Sequence, residues 1–268
     1  MERTLHVGQA SAWITAFVCV AAAWSLSPQG GLFTAVWTNL VLAGGLVVLS
    51  ARVTDETQGR ALVFLAVLPL ARMADVITAV PLSTVGWSGV GTDLVVALGA
   101  ACAWFLSPGR PQLGERSARG GISRKASGSG WAPKWGTLAL FAGSCAAGVA
   151  LHGREAVSLP LSTGIHPLEA AVIVFLVMLA VGVGVEAVFR GPLFEALRHA
   201  VGPVPAVALT SALWMVLGGY RPGAPAVLIA LANVVYGVAR ARGERTLWVG
   251  VAHGLLNGCA MVAVHGLG

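Results

Sequence analysis

The sequence predicts an all-α polytopic membrane protein of about eight to nine transmembrane helices, each close to the ~20 apolar residues that a spanning helix needs. Three observations predict it. Of 268 residues, 56% are hydrophobic and only 10% are charged, with a mean hydropathy of +0.80. A soluble domain carries about 25% charged residues, because a surface facing water needs polar atoms and one facing lipid does not. Long apolar stretches then recur along the whole chain. Finally, the formal charge of +6 and the pI of about 9.8 come from Arg and Lys residues set between those stretches. That placement marks cytoplasmic loops beside anionic lipid and argues against nucleic acid as a partner.

The spans run near 9–27, 31–50, 61–81, 88–106, 136–152, 168–189, 203–219, 224–240 and 246–266. The fifth and seventh are short, which leaves the count at eight or nine. The first resembles a signal peptide, with Arg3 before it and Ala21-Ala22-Ala23 after its apolar run. The many spans that follow make it an expected uncleaved anchor. Between the fourth and fifth spans lies the longest polar stretch, Ser107 to Trp135. It holds Arg110, Arg116, Arg119, Arg124, Lys125 and Lys134 against Glu115 alone, with Gly, Ser and Pro between them. This reads as a flexible loop held in the cytoplasm. Counting spans outward from it puts the N-terminus inside, together with basic loops at Arg190–Arg198 and Arg240–Arg245. The expected organisation is a four-span region over 1–106, the loop over 107–135 and a membrane core over 136–268, integral to the plasma membrane. Cys19, Cys102, Cys145 and Cys259 each lie in an apolar stretch without a CxxC, so neither a disulfide framework nor a zinc site is signalled.

Ionisable groups inside spans are informative, because each costs ~2.5–3.5 kcal/mol on insertion scales. Arg72 and Asp75 in the third span share a helix face and read as an ion pair, and Asp93 lies in the fourth. The C-terminal half holds a denser set. Glu186 and Arg190 stand four apart at the end of the sixth span, followed by Gly191-Pro192, Glu195, Arg198 and His199. Pro192 is expected to loosen the helix, and Glu195 and His199 to form a solvated or interfacial face. His253 and Asn257 stand four apart in the ninth span, and Trp214 and Gly218 keep that spacing in the seventh. At ~1.5 Å of rise per residue, Glu186 and His253 fall at similar depth from the basic loops. A carboxylate, an imidazole and an amide around one pocket are the parts of acid/base chemistry and oxyanion stabilisation. Spacing alone equally admits polar groups that only tie helices together.

Two stretches carry a family resemblance. VEAVFRGPLFEAL (185–197) resembles the EExxFRG motif of the CPBP intramembrane proteases, which include the CAAX prenyl proteases and the bacteriocin-immunity (Abi) proteins. GERTLWVGVAHGLLNG (243–258) resembles their HxxxN motif, and ALTSALWMVLGG (208–219) falls where they carry FxxxH. The order, spacing and membrane setting of the motifs make the combination specific over residues 168–266. The resemblance implies a CPBP-like helical core and peptidase activity on a prenylated or hydrophobic peptide. It implies catalytic roles for Glu186, Arg190, His253 and Asn257, with Phe189, Trp214 and Gly218 against substrate. Two positions depart from the pattern: Val185 stands at the first Glu, the family's water-activating base, and Gly218 at the FxxxH His. One Glu, one His and one Asn fall short of a catalytic zinc set, so no metal or cofactor is expected. Three functions stay open on these residues: an intramembrane peptidase, an inactive relative that binds a hydrophobic peptide or lipid, and a repurposed cyclase or isomerase acting on an isoprenoid- or polyketide-like metabolite.

Overall fold

A computed structural model describes residues 12–13, 15–23, 31–83, 98–99, 135–151, 167–217 and 224–266. All their regular structure is helical. The helices are α1 (Gly31–Arg52), α2 (Glu56–Ser83), α3 (Trp135–Leu151), α4 (Pro167–Phe189), α5 (Pro192–Val201), α6 (Pro203–Leu217), α7 (Ala224–Ala241) and α8 (Thr246–Gly266), and residues 15–23 are helical as well. The expected spans near 31–50, 61–81, 136–152, 168–189, 203–219, 224–240 and 246–266 correspond to α1, α2, α3, α4, α6, α7 and α8. The fourth span with Asp93, the Asp75 side chain, the basic loop and Gly218 lie outside the described residues. Arg72 is half-buried in α2.

By length and composition, Phe33–Arg52 and Ala171–Val201 are long and apolar enough to cross a membrane; Trp135–Leu151, Pro203–Leu217 and Ala226–Ala241 are shorter apolar helices. Large apolar side chains lie on the described surface, and the interior, though mostly apolar, encloses several polar ones. Phe33, Val41, Val48, Leu176, Val204 and Leu231 are exposed, whereas Asn39, Ser144, Glu186, Arg190, Asn233 and His253 are buried. Apolar surface of that extent is a liability in water and the natural boundary in hydrocarbon.

One apolar core runs from Trp13, Phe17 and Phe64 through Val185, Phe189 and Phe194 to Trp214, and so draws on both sides of the basic loop. The most extensive helix pair is α4 with α8. Glycines let it form. Gly250, Gly254 and Gly258 recur every fourth residue along α8, which puts them on one face. A Cβ at Gly250 would stand 2.6 Å from Val183 Cα, one at Gly254 2.6 Å from Leu179 Cα, and one at Gly258 2.7 Å from Phe175 Cδ2. On the facing helix a Cβ at Gly182 would run into the Gly254 backbone. Small residues at fourfold spacing allow such close approach, and in lipid packing itself drives helix association.

The expected loop at Arg190–Arg198 is instead mostly a helix, after a two-residue break at Arg190-Gly191. Gly191 is needed at the break, because a Cβ there would strike the Ala187 carbonyl. Pro192 then opens α5 at the first helical position, where its missing N–H costs nothing.

Candidate active site

Glu186 sits on the last turn of α4, Arg190 immediately follows that helix, and His253 sits mid-way along α8. The close α4–α8 packing brings them together. His253 Nδ1 lies 2.8 Å from Glu186 Oε1. The other carboxylate oxygen faces Arg190 Nε at 3.3 Å, and both side chains are fully buried. Arg190 Nη2 donates to the Asn233 carbonyl at 2.9 Å and to Asn233 Oδ1 at 3.1 Å. A carboxylate thus stands between a guanidinium and an imidazole, and a third helix, α7, holds the guanidinium from behind.

Two aromatic rings flank the imidazole, and a third backs one of them. Tyr236 stacks on it, with centroids 5.6 Å apart and planes 25° apart. Trp214 meets it edge to face at 5.2 Å, and Phe189 packs edge to face on Trp214 at 5.1 Å. Val185 is fully buried in the same core as Phe189 and Trp214. Asn257 lies one turn beyond His253 and is half-buried. Of the residues expected at the site, Glu186, Arg190, His253, Phe189 and Trp214 come together, Asn257 stands on the adjacent turn of α8, and Gly218 lies outside the described residues. Among the described residues, no third His, Cys, Asp or Glu joins Glu186 and His253.

Sequence reading missed Asn233, Tyr236 and Ser144. Ser144 Oγ donates to Tyr236 Oη at 3.0 Å, and the tyrosine proton goes to the Ala252 carbonyl at 3.4 Å. This chain fixes the ring that stacks on His253. Tyr236→Phe keeps the stack and removes the chain, so we expect a loss of about 1 kcal/mol of stability, read as a lower midpoint of thermal unfolding in detergent. Ser144→Ala should give a similar loss, and the double variant should be little worse than either single change.

The mouth of this end of the bundle is tied by polar contacts. The break after α4 leaves the Arg190 carbonyl without its helical donor, and Arg240 Nε at 3.0 Å and Thr246 Oγ1 at 3.2 Å supply replacements. Gly243, at φ +96°, makes the tight turn that brings both donors round from α7 and α8. Arg240 also pairs with Glu195, which Arg198 Nε approaches at 3.2 Å. Of the pair expected on a solvated or interfacial face, Glu195 is half-buried and joins an inter-helix ion network, whereas His199 is exposed. Both C-terminal basic clusters, Arg190–Arg198 and Arg240–Arg245, accordingly lie at one end of the bundle. Thr137 Oγ1 ties α3 to the same end by donating to Glu244 Oε2 at 2.9 Å.

Residues 167–259 match the family model described as Type II CAAX prenyl endopeptidase Rce1-like, in agreement with the CPBP resemblance of the motifs. No curated protein and no solved structure matches the chain.

Proposed function

We propose that this chain, Rce1-like over residues 167–259, is a membrane-embedded endopeptidase for a prenylated or otherwise hydrophobic peptide, with His253 as its proton carrier. The observation that carries this reading is the 2.8 Å contact between His253 Nδ1 and the buried Glu186 carboxylate. A carboxylate on one ring nitrogen fixes the tautomer and leaves Nε2 as the reacting atom, the logic of the Ser-His-Asp triad. Glu186 Oε1 is held by His253, and Oε2 faces the Arg190 guanidinium as an ion pair. We therefore assign Glu186 the orienting role, by analogy with the carboxylate of a triad.

His253 Nε2 takes a proton from water as the water oxygen bonds to the scissile carbonyl carbon. The carbon–nitrogen bond then breaks, and the same proton passes to the leaving amine. Asn257 supplies an amide donor to the developing oxyanion. Phe189 and Trp214 wall the site with apolar surface for the lipid chain. The protein is placed in the plasma membrane with its N-terminus and this end of the bundle cytoplasmic, a reading supported by the two basic clusters gathered there.

A second reading is favoured by the Trp214 and Tyr236 rings against His253, with Phe189 behind Trp214 and Val185 buried in the same core as Phe189 and Trp214. The same His253 would then move a proton on an isoprenoid- or polyketide-like metabolite as a cyclase or isomerase. Vesicles holding the full chain and a farnesylated fluorogenic peptide separate the readings. The peptidase cleaves the peptide, and His253→Ala lowers the rate by about 10²–10⁴-fold, the usual worth of acid/base catalysis. An unchanged rate in that variant removes His253 from the mechanism. Retention of the peptide without turnover points to a relative that only binds a hydrophobic ligand.

A further inference from the structure

Two neighbouring hydroxyls on α6 behave differently. Thr210 Oγ1 donates to the Ala206 carbonyl at 2.8 Å, the ordinary solution for a hydroxyl in an apolar helix. Ser211, beside it and only 5% exposed, leaves its Oγ without a hydrogen-bond partner. Trp214 follows three residues later, on the same helix face. It is 8% exposed, and its indole Nε1 has no acceptor either. Unpaired buried donors are costly and uncommon, so two on one face call for an explanation. Trp214 is also the α6 residue whose ring meets the His253 imidazole, with Phe189 against it in turn.

We propose that Ser211 Oγ and Trp214 Nε1 form a subsite that takes the carbonyl oxygen of a hydrophobic substrate and holds it beside His253. An indole N–H donates and accepts nothing, and a serine hydroxyl can donate beside it. The pair therefore selects an oxygen acceptor. The ligand class is an amide, ester or ketone carried on an apolar chain, because Trp214 belongs to a core of buried apolar side chains that includes Phe189, Leu213 and Leu217. This deepens the peptidase reading and rests on it for the bond that is broken. The need of two donors for an acceptor does not depend on cleavage.

The test has a binding arm and a turnover arm, both with the full chain. For binding, a farnesyl methyl ketone is compared with the hydrocarbon that carries CH₂ in place of C=O, by thermal shift in detergent. Wild type should prefer the ketone by about tenfold, the worth of two modest hydrogen bonds. Ser211→Ala and Trp214→Phe should each reduce that preference, and the double variant should abolish it, read as the ratio of ketone to hydrocarbon affinity because the smaller ring weakens both. Ser211→Ala should not lower the unfolding midpoint of the ligand-free protein, since its hydroxyl has no partner to lose, whereas Trp214→Phe should lower it through the lost ring packing on Phe189 and His253. In turnover of the farnesylated peptide, each variant should lower kcat by about 10²–10³-fold, as loss of an oxyanion donor does, with KM little changed. A wild type that does not distinguish ketone from hydrocarbon overturns the subsite, as does a preference that survives in the double variant. Ketone preference lost in the variants, with no peptide cleaved by wild type, leaves the subsite standing and removes the peptidase. Cleavage undiminished in the double variant, without ketone preference in wild type, removes the subsite alone.

Discussion

Glu186→Gln should destabilise the protein by about 3–5 kcal/mol although the two side chains are nearly the same shape, because it leaves a buried charge without its counter-ion. Arg190 is fully buried, and Glu186 is the carboxylate that faces it, 3.3 Å from Nε. The Asn233 oxygens satisfy Nη2 but carry no formal charge. A glutamine can still approach His253, so loss of that hydrogen bond alone would cost far less. The companion variant separates charge from shape. Glu186→Gln combined with Arg190→Met removes both ions and should recover most of the lost stability, since a buried pair replaced by apolar groups is often neutral. It should not recover turnover, because His253 loses the carboxylate that orients it. The midpoint of thermal unfolding in detergent, with the monodisperse fraction on gel filtration, reads both effects. A Glu186→Gln protein as stable as wild type contradicts the ion pair.

Gly254→Leu should be nearly as damaging, although it lies outside the charged cluster. A Cβ at this position would sit 2.6 Å from Leu179 Cα and 2.8 Å from the Met178 carbonyl. Both are backbone atoms, so no side chain can turn aside and the helices must part. Overpacking of this kind costs about 1–3 kcal/mol, and more where the backbone itself must shift. A displacement of 1 Å also takes the 2.8 Å Glu186–His253 contact beyond hydrogen-bond distance. We expect lost turnover and a lower unfolding midpoint together. Gly143→Leu is the control: a Cβ there meets nothing within 4 Å, and that variant should behave as wild type.

The glycine spacing that carries this prediction was present in the sequence, yet what it faces was not. Depth along two helices, counted from basic residues, was enough to set Glu186 and His253 at one level, because helix rise is fixed by backbone geometry. The membrane setting was likewise legible, since it follows from composition. Partner choice was not. Asn233, Tyr236 and Ser211 lie in apolar helices with no periodic or motif signal, and only the packing of α6, α7 and α8 gives them roles. Glu195 reads as a surface residue from its own helix, whereas its partner Arg240 lies 45 residues away. The helical segment at Pro192–Val201 was half legible: Arg190, Glu195 and Arg198 suggested a polar loop, while Gly191-Pro192 is equally the signature of a helix that stops and restarts.

The central claim is that Glu186 and His253 act as one unit. A double-mutant cycle on kcat/KM tests it most directly, with wild type, Glu186→Gln, His253→Ala and the double variant in vesicles with the farnesylated peptide, each variant confirmed folded. Groups that act as a unit are strongly non-additive. The account predicts that both single variants and the double variant fall to the same floor. A double variant whose loss equals the product of the two single losses would show that carboxylate and imidazole act separately, and would contradict the account.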